Sequence, residues 1–348
     1  MKRETVAMSK PQFSTSSDMS EAQPPTTKPT VWNRFATHMK RFWWAYLIAF
    51  CVIVLVTVLP ILYVGVPHFA ENYINNSAYG YDGLEITNPR PTAFHVRQKK
   101  SLPQGGAVTG SGHLDAFNAT CRLKETNEAF GSLSVPQIAF GNGAFLNIDQ
   151  DVELSCVDCM SEIAKNAASN KSSSLVMEGA SDLHLGRIPT AHVNIQKNMH
   201  VGSYNVTEYL NGDGSFNISS IDLLDPPVDG YNFNATITVK NPGVFSIELG
   251  QASFNLTMDG KDLGYVVLPH LFLEREPKET IVLGSIDKGM LIHEAIAGSD
   301  DFGTVTVGIH GHSCSYNGVD IPYFTAAIKA ISAPSKLDLL KYASKLFT

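Results

Sequence analysis

Tyr231-Asn232-Phe233-Asn234-Ala235-Thr236-Ile237-Thr238-Val239-Lys240 is the stretch that decides the fold. Tyr231, Phe233, Ala235, Ile237 and Val239 alternate with Asn232, Asn234, Thr236, Thr238 and Lys240, the period of a strand with one face in a core. The same period recurs where Phe117, Ala119, Cys121 and Leu123 alternate with Asn118, Thr120, Arg122 and Lys124. It appears again where Ala252, Phe254, Leu256 and Met258 alternate with Ser253, Asn255, Thr257 and Asp259, ending at the hairpin pair Asp259-Gly260. Asn118, Asn234 and Asn255 are all N-x-S/T acceptors on the polar side of these runs. A glycan cannot occupy a core, so the acceptors support the same phase.

Seven acceptors, Asn75, Asn118, Asn170, Asn205, Asn217, Asn234 and Asn255, follow one uncharged apolar stretch, and none precedes it. The stretch runs from Phe42 to Val66, and about 20 apolar residues cross a hydrocarbon core of roughly 30 Å. Trp43, Trp44 and Tyr63 stand where an aromatic belt belongs, while Lys28, Arg34, Lys40 and Arg41 precede the span. Both signals place the N-terminus in the cytosol and the rest in the lumen. A 41-residue leader and the lack of an A-x-A exit argue against a cleaved signal peptide, so the span reads as an uncleaved anchor. Residues 1–30, rich in Ser, Thr, Pro and Gln, read as disordered. Val31 to Arg41 reads either as a basic helix on the cytosolic leaflet or as the helical continuation of the span.

The first 41 residues carry seven basic and three acidic side chains, which leaves the remainder at −11 out of an overall −7. An acidic lumenal part argues against a nucleic-acid partner. Hydrophobic residues make up 44% of the chain, enough to build a real core. Cys51 lies within the span, and Cys121, Cys156, Cys159 and Cys314 fall in an oxidising compartment. Four such cysteines suggest two disulfides, with three possible pairings. Cys156-Val157-Asp158-Cys159 has redox spacing but reads as a structural bridge, between the two or from one of them to Cys121.

The chain repeats itself. Gly131 to Ile138 matches Gly264 to Leu271 as G-x-[LV]-x-[VL]-P-x-[IL], and Gly179-Ala180-Ser181 matches Gly311-His312-Ser313. Asn88-Pro89 resembles Asn241-Pro242 at a longer spacing, which implies an insertion in the first copy around Gln104 to Gly112. The expected organisation is a tail (1–41), an anchor (42–66), two lumenal antiparallel β-sandwiches (75–212 and 213–333) and a C-terminal amphipathic helix (334–348). Helix is otherwise expected only over Met160 to Asn170. In the last segment Ser335 and Asp338 would form a capping box, with Leu337, Leu340, Ala343 and Phe347 as an apolar stripe.

An apolar-x-Asn-Pro strand end, an alternating strand, an Asp-Gly turn and then Gly-x-x-x-apolar-Pro together resemble the late-embryogenesis-abundant, or water-stress and hypersensitive-response, type of sandwich, best over Tyr231 to Leu273. With one N-terminal anchor and two modules, residues 42–333 resemble fungal single-pass membrane glycoproteins related to the vacuolar membrane protein implicated in terminating autophagy. That resemblance implies a vacuolar membrane location and no catalytic residues; the plasma membrane and endoplasmic reticulum are the alternatives.

His310-Gly311-His312-Ser313-Cys314 is the best metal candidate by sequence, yet the repeat replaces both imidazoles and no further ligand is nearby, so no metal or cofactor is expected. Asp149, Asp151 and Glu153 share a strand face and read as solvated acids. Gly212-Asp213-Gly214 reads as an interdomain turn. No G-x-S-x-G, H-E-x-x-H or G-x-x-x-x-G-K-[ST] pattern occurs. The sequence therefore points to a non-enzymatic lumenal scaffold that contacts the bilayer through its anchor and a protein or lipid partner in the lumen. The alternative is a membrane-anchored carbohydrate-active or hydrolytic ectodomain.

Overall fold

Pro60 ends the regular α-helical part of the apolar stretch. In the computed structural model, which describes residues 31–76, 83–102, 112–140, 144–202, 205–211, 216–241, 243, 245–297 and 303–338, α1 (Val31–Pro60) passes through one π-helical turn (Ile61–Gly65) into α2 (Val66–Asn76). Proline has no N–H for the carbonyl four residues back and its ring crowds that carbonyl, which a wider turn relieves. Phe42 departs from helical geometry (φ −121°, ψ 21°) where the apolar stretch begins. His38 to Asn76 is long and apolar enough to cross a membrane, and its most apolar window is wholly unburied. Trp43, Trp44 and Tyr63 are exposed on it.

Residues up to Leu59 and those from Pro60 onward form separate compact units, and every strand among the described residues lies in the second. In chain order the strands are β1 (Leu84–Arg90), β2 (Ala93–Leu102), β3 (Gly112–Leu114), β4 (Phe117–Leu123), β5 (Ala129–Val135), β6 (Ile138–Phe140), β7 (Ala144–Glu153), β8 (Ser173–Leu185), β9 (Ala191–Val201), β10 (Phe216–Val228), β11 (Tyr231–Val239), β12 (Ser246–Met258), β13 (Lys261–Leu273), β14 (Lys278–Ile286), β15 (Thr304–Tyr316), β16 (Val319–Asp320) and β17 (Ser332–Asp338). Among the described residues four helices join them: α3 (Val157–Ala168), α4 (Val206–Asn211), α5 (Lys288–Ala297) and α6 (Pro322–Lys329). The fold is mainly β. One sheet runs β10-β11-β14-β13-β12-β1-β2-β7 with β15 against β12, and β16 and β17 against β15. The other runs β5-β4-β8-β3-β6 with β9 against β8.

The alternation read from sequence sets the buried faces. Phe233, Ala235 and Ile237 of β11 are buried, as are Ala119 and Leu123 of β4 and Ala252 and Met258 of β12. Asp259 (φ 50°) and Gly260 (φ 74°) turn β12 into β13 with two left-handed residues, matching the twist of the strands they join.

The pairing pattern occurs twice. β1 pairs β2, β2 pairs β7, β4 pairs β5 and β8, and β8 pairs β9. Later in the chain β10 pairs β11, β11 pairs β14, β12 pairs β13 and β15, and β15 pairs β17. The short pair β3–β6, with Leu114 opposite Ile138, stands where Gly250 faces Leu271 in the first half of β12 and the second half of β13. The Gly-x-x-x-apolar-Pro matches thus lie on equivalent strands. The Asn-Pro match does not: Asn88-Pro89 closes the first strand of its set, whereas Asn241 follows the second. By topology Asn88-Pro89 corresponds instead to Asp225-Pro226 near the end of β10, because the short polar-Pro signature recurs wherever a strand must end.

Each set covers its last strand in the same way. The Asn75 amide on α2 donates to the carbonyl of Asn194 (3.3 Å) and accepts from the amide of Gln196 (2.8 Å) on β9. The Asn211 amide on α4 donates to the carbonyl of Pro334 (2.8 Å) and accepts from the amide of Lys336 (3.2 Å) on β17. A side-chain amide offers one donor and one acceptor side, which suits it to occupy backbone groups an edge strand leaves open.

Three expectations need correction. Ser335 to Asp338 belong to a strand, not a helix start: β15 offers an open edge from Thr304 to His310, and Ala333 and Leu337 face inward on β17. The remainder of 334–348 lies outside the described residues, as do residues 1–30, Gln104 to Ser111 and Gly212 to Gly214. Helix is also more extensive than expected, since α4, α5 and α6 join α3. Lastly, 212/213 does not divide the core. β1 pairs in parallel with β12 (Glu85 with Ser246, Ile86 with Ile247), and one buried cluster holds Phe94, Val152 and Val193 together with Phe233, Leu268 and Tyr323.

Candidate functional site

Register places the acids of β7 opposite the bases of β2. Asp151 faces His95 and Asp149 faces Arg97. His95 sits between the two carboxylates, with Nδ1 2.8 Å from Asp151 Oδ1 and Nε2 2.9 Å from Asp149 Oδ1. Arg90 donates to Asp151 Oδ2 at 2.6 Å, and Arg97 Nε lies 3.7 Å from Asp149. The hydrogen bond from His95, reinforced by Arg90, holds the Asp151 carboxyl below its ordinary range. A carboxylate so held is suited to ion pairing and not to donating a proton. The acids read as solvated are therefore a cross-strand charge ladder, legible only once the strand opposite is known.

Of the cysteines, Cys156 and Cys159 form a disulfide (Cα–Cα 5.3 Å), while Cys51, Cys121 and Cys314 are free. Cys156 caps the N-terminus of α3, its sulfur accepting from the amide of Cys159 at 3.1 Å, so the motif does sit at a strand-to-helix junction. The strands on either side pair antiparallel to their neighbours, unlike a parallel βαβ unit. Burial pushes the Cys121 thiol to about 11 and, with help from Asp320, the Cys314 thiol to about 12. Both are inert thiols at neutral pH.

His310, His312 and Cys314 do not converge. Both ring nitrogens of His310 are held by hydroxyls, Nε2 3.0 Å from Thr257 Oγ1 and Nδ1 3.0 Å from Ser332 Oγ. His312 is exposed, at a shift of register between β12 and β15. Cys314 is fully buried with its sulfur 3.3 Å from the Leu249 carbonyl. Among the acceptor asparagines, Asn118, Asn170, Asn205, Asn217 and Asn255 are exposed, and Asn75 and Asn234 are half-buried.

A second imidazole group has no mark in the sequence. His113 on β3 stands opposite His184 on β8, and their rings stack at 4.5 Å with an 18° angle. Asp115, just beyond β3, reaches both: Oδ1 is 3.4 Å from His113 Nε2, and Oδ2 is 3.1 Å from His184 Nε2. His-x-Asp alone is too short a signal, and His184 is 69 residues away from Asp115.

Residues 128–256 match a family described as a protein of unknown function (DUF3712), well under half of the chain. The matched stretch runs from the start of β5 nearly to the end of β12 and so takes in strands of both sets. No curated protein matches. Among solved structures the chain is similar to one titled "Crystal Structure of the Periplasmic Chaperone SfaE", at 8% identity, covering 72% of this chain and 95% of that one, with a TM-score of 0.15.

Proposed function

We propose that the chain is a non-enzymatic, single-pass membrane glycoprotein with a cytosolic N-terminus, whose two strand sets act as a lumenal binding or scaffold module. In this reading the sets are tandem sandwiches of the late-embryogenesis-abundant type, and the organelle is a compartment of the endomembrane system, first the vacuole. The observation that carries it is the state of the polar side chains. The paired acids Asp149 and Asp151 are both hydrogen-bonded to His95, Arg97 stands beside Asp149 and Arg90 beside Asp151, and Asp151 is held ionised. Glycosidase chemistry needs one carboxyl raised, not lowered. The exposed acceptors Asn118 and Asn255 lie on strands of both sets, which suits a module facing the lumen.

The test pairs topology with activity. In cells making the full chain, endoglycosidase should sharpen its mobility while a tag at Met1 remains open to cytosolic protease. Purified protein should show no turnover of chromogenic glycosides or esters. Turnover that disappears in Asp149→Asn or Asp151→Asn would replace this reading with the hydrolytic one.

A further inference from the structure

We propose that His113, Asp115 and His184 form a zinc-class metal site on the β3–β8 seam. His113 and His184 are directly opposed across an antiparallel pair, and Asp115 follows His113 by two residues, the spacing that returns a side chain to the same face. The Asp115 backbone is fixed at both ends: its amide donates to the Asp182 carbonyl (3.0 Å), and the Ser181 hydroxyl donates to its carbonyl (2.8 Å). The carboxylate is thereby directed at both rings.

Geometry narrows the chemistry. One nitrogen of each imidazole and a carboxylate oxygen lie within 4.8 Å of one another, and the closest N···O separations are 3.4 and 3.1 Å. Ligands bonded to a tetrahedral ion at about 2.0–2.1 Å are roughly 3.3 Å apart, so both N···O spacings already fit, while the stacked rings must turn out of their 18° parallelism for both nitrogen lone pairs to meet one ion. Two imidazoles and one carboxylate favour zinc, cobalt or nickel over calcium or magnesium, which take oxygen ligands. His184 Nδ1 lies 3.2 Å from Thr190 Oγ1, a contact that can hold its proton there and leave the Nε2 lone pair facing the site. The side chains are 41%, 43% and 35% exposed, so a fourth position stays open to water or a partner's donor.

The second strand set gives a built-in comparison. There Glu248 takes the place of His113, since Glu248 and Phe272 repeat the His113–Ala139 pair. Its carboxylate accepts instead from the Tyr316 hydroxyl (3.3 Å) and the Asn88 amide (2.9 Å). The strand pattern therefore does not require imidazoles at this seam; the first set alone carries them.

The test uses the full chain in detergent, without a histidine tag, after treatment with chelator. Titration with zinc chloride, followed by calorimetry and by elemental analysis after desalting, should give one ion per chain. Cobalt chloride should give the visible absorption of a low-coordinate site. His184→Gln should weaken binding by at least about 30-fold and remove that absorption, whereas Thr190→Val should weaken it by about 10-fold. His310→Gln should leave both unchanged. Zinc should raise the melting temperature of the native chain and not that of His184→Gln, which also guards against a variant that has simply misfolded. No zinc uptake by the folded native chain, or uptake unchanged in both His184→Gln and Thr190→Val, would overturn the site.

Discussion

Asn75 carries two incompatible demands. As an N-x-S acceptor it would give its amide nitrogen to a glycan, yet that nitrogen donates to the Asn194 carbonyl while the amide oxygen accepts from Gln196, closing the edge of β9. A bulky glycan attached before folding would block the clamp, so glycopeptide mass spectrometry should find Asn75 unmodified and Asn118 and Asn255 occupied. Occupancy at Asn75 equal to theirs would mean that α2 does not close β9 in this way. Tyr323 ties α6 to the loop between β1 and β2. It is fully buried, with its hydroxyl 3.1 and 3.0 Å from the carbonyls of Arg90 and Ala93 and its ring edge-on to Phe94 and Phe324. Tyr323→Phe strips a donor from buried carbonyls and should cost about 1–3 kcal/mol in denaturant titrations. The thiols set a pH window. Cys121 and Cys314 titrate at about 11 and about 12 in the fold against a reference of 9.0, so the unfolded chain ionises first. Stability from these groups is unaffected below 9 and is lost as pH rises from 9 to 12. Cys121→Ala/Cys314→Ala should flatten that part of the melting curve against pH relative to the native chain.

The strands were legible at the element scale because burial on one face leaves a period of two, and glycan acceptors marked the other face independently. The elements that were not legible share one cause: their conformation is set by a distant partner. Ser335-x-x-Asp338 satisfies a capping pattern, but β15 presents unpaired backbone along that segment, and sheet pairing prevails over a local signal worth about 1 kcal/mol. α6 is only eight residues long and is fixed by the burial of Tyr323, Phe324 and Ile328, which no periodicity announces over two turns. The metal-binding trio is hidden for the same reason, since its members meet only through the β3–β8 register. Repeated glycines, by contrast, were visible and now have a physical account. A Cβ on Gly264 (φ 134°) would lie 2.0 Å from the Ser285 carbonyl oxygen, and one on Gly311 would lie 1.7 Å from that of Ile328. Both contacts are with backbone, which cannot swing aside. Gly264→Ala should therefore destabilise the chain by at least about 2 kcal/mol, whereas Asn255→Ala on the exposed face of β12 should fall within about 0.5 kcal/mol. Equal melting temperatures for the two variants would mean that β13 and β14 do not approach so closely.

At the scale of the whole molecule, the two strand sets repeat one another but are not independent bodies. Tandem modules joined by a linker would each bury their own core and melt separately. Here several connections cross from one set to the other, among them the parallel β1–β12 pairing, the Asn88 backbone amide donating to Glu248, the packing of α6 against α3, and the Tyr323 hydroxyl between the carbonyls of Arg90 and Ala93. The buried cluster is continuous across both sets. Unfolding one set would expose apolar surface on the other at about 25 cal/mol per Å², which couples their stabilities. The decisive substitution is Leu268→Asp on β13, a side chain 7% exposed and opposite Ala252, where an unpaired carboxylate should cost several kcal/mol. If the sets were separate, this variant would lower one thermal transition and leave the other, built on β4, β5 and β8, at its native temperature. The shared core instead gives one calorimetric transition in the native chain, with calorimetric and van't Hoff enthalpies in agreement, and a single transition at lower temperature in the variant. Two transitions, only one of which moves, would show that the seam contributes little and that the repeat is a pair of autonomous domains.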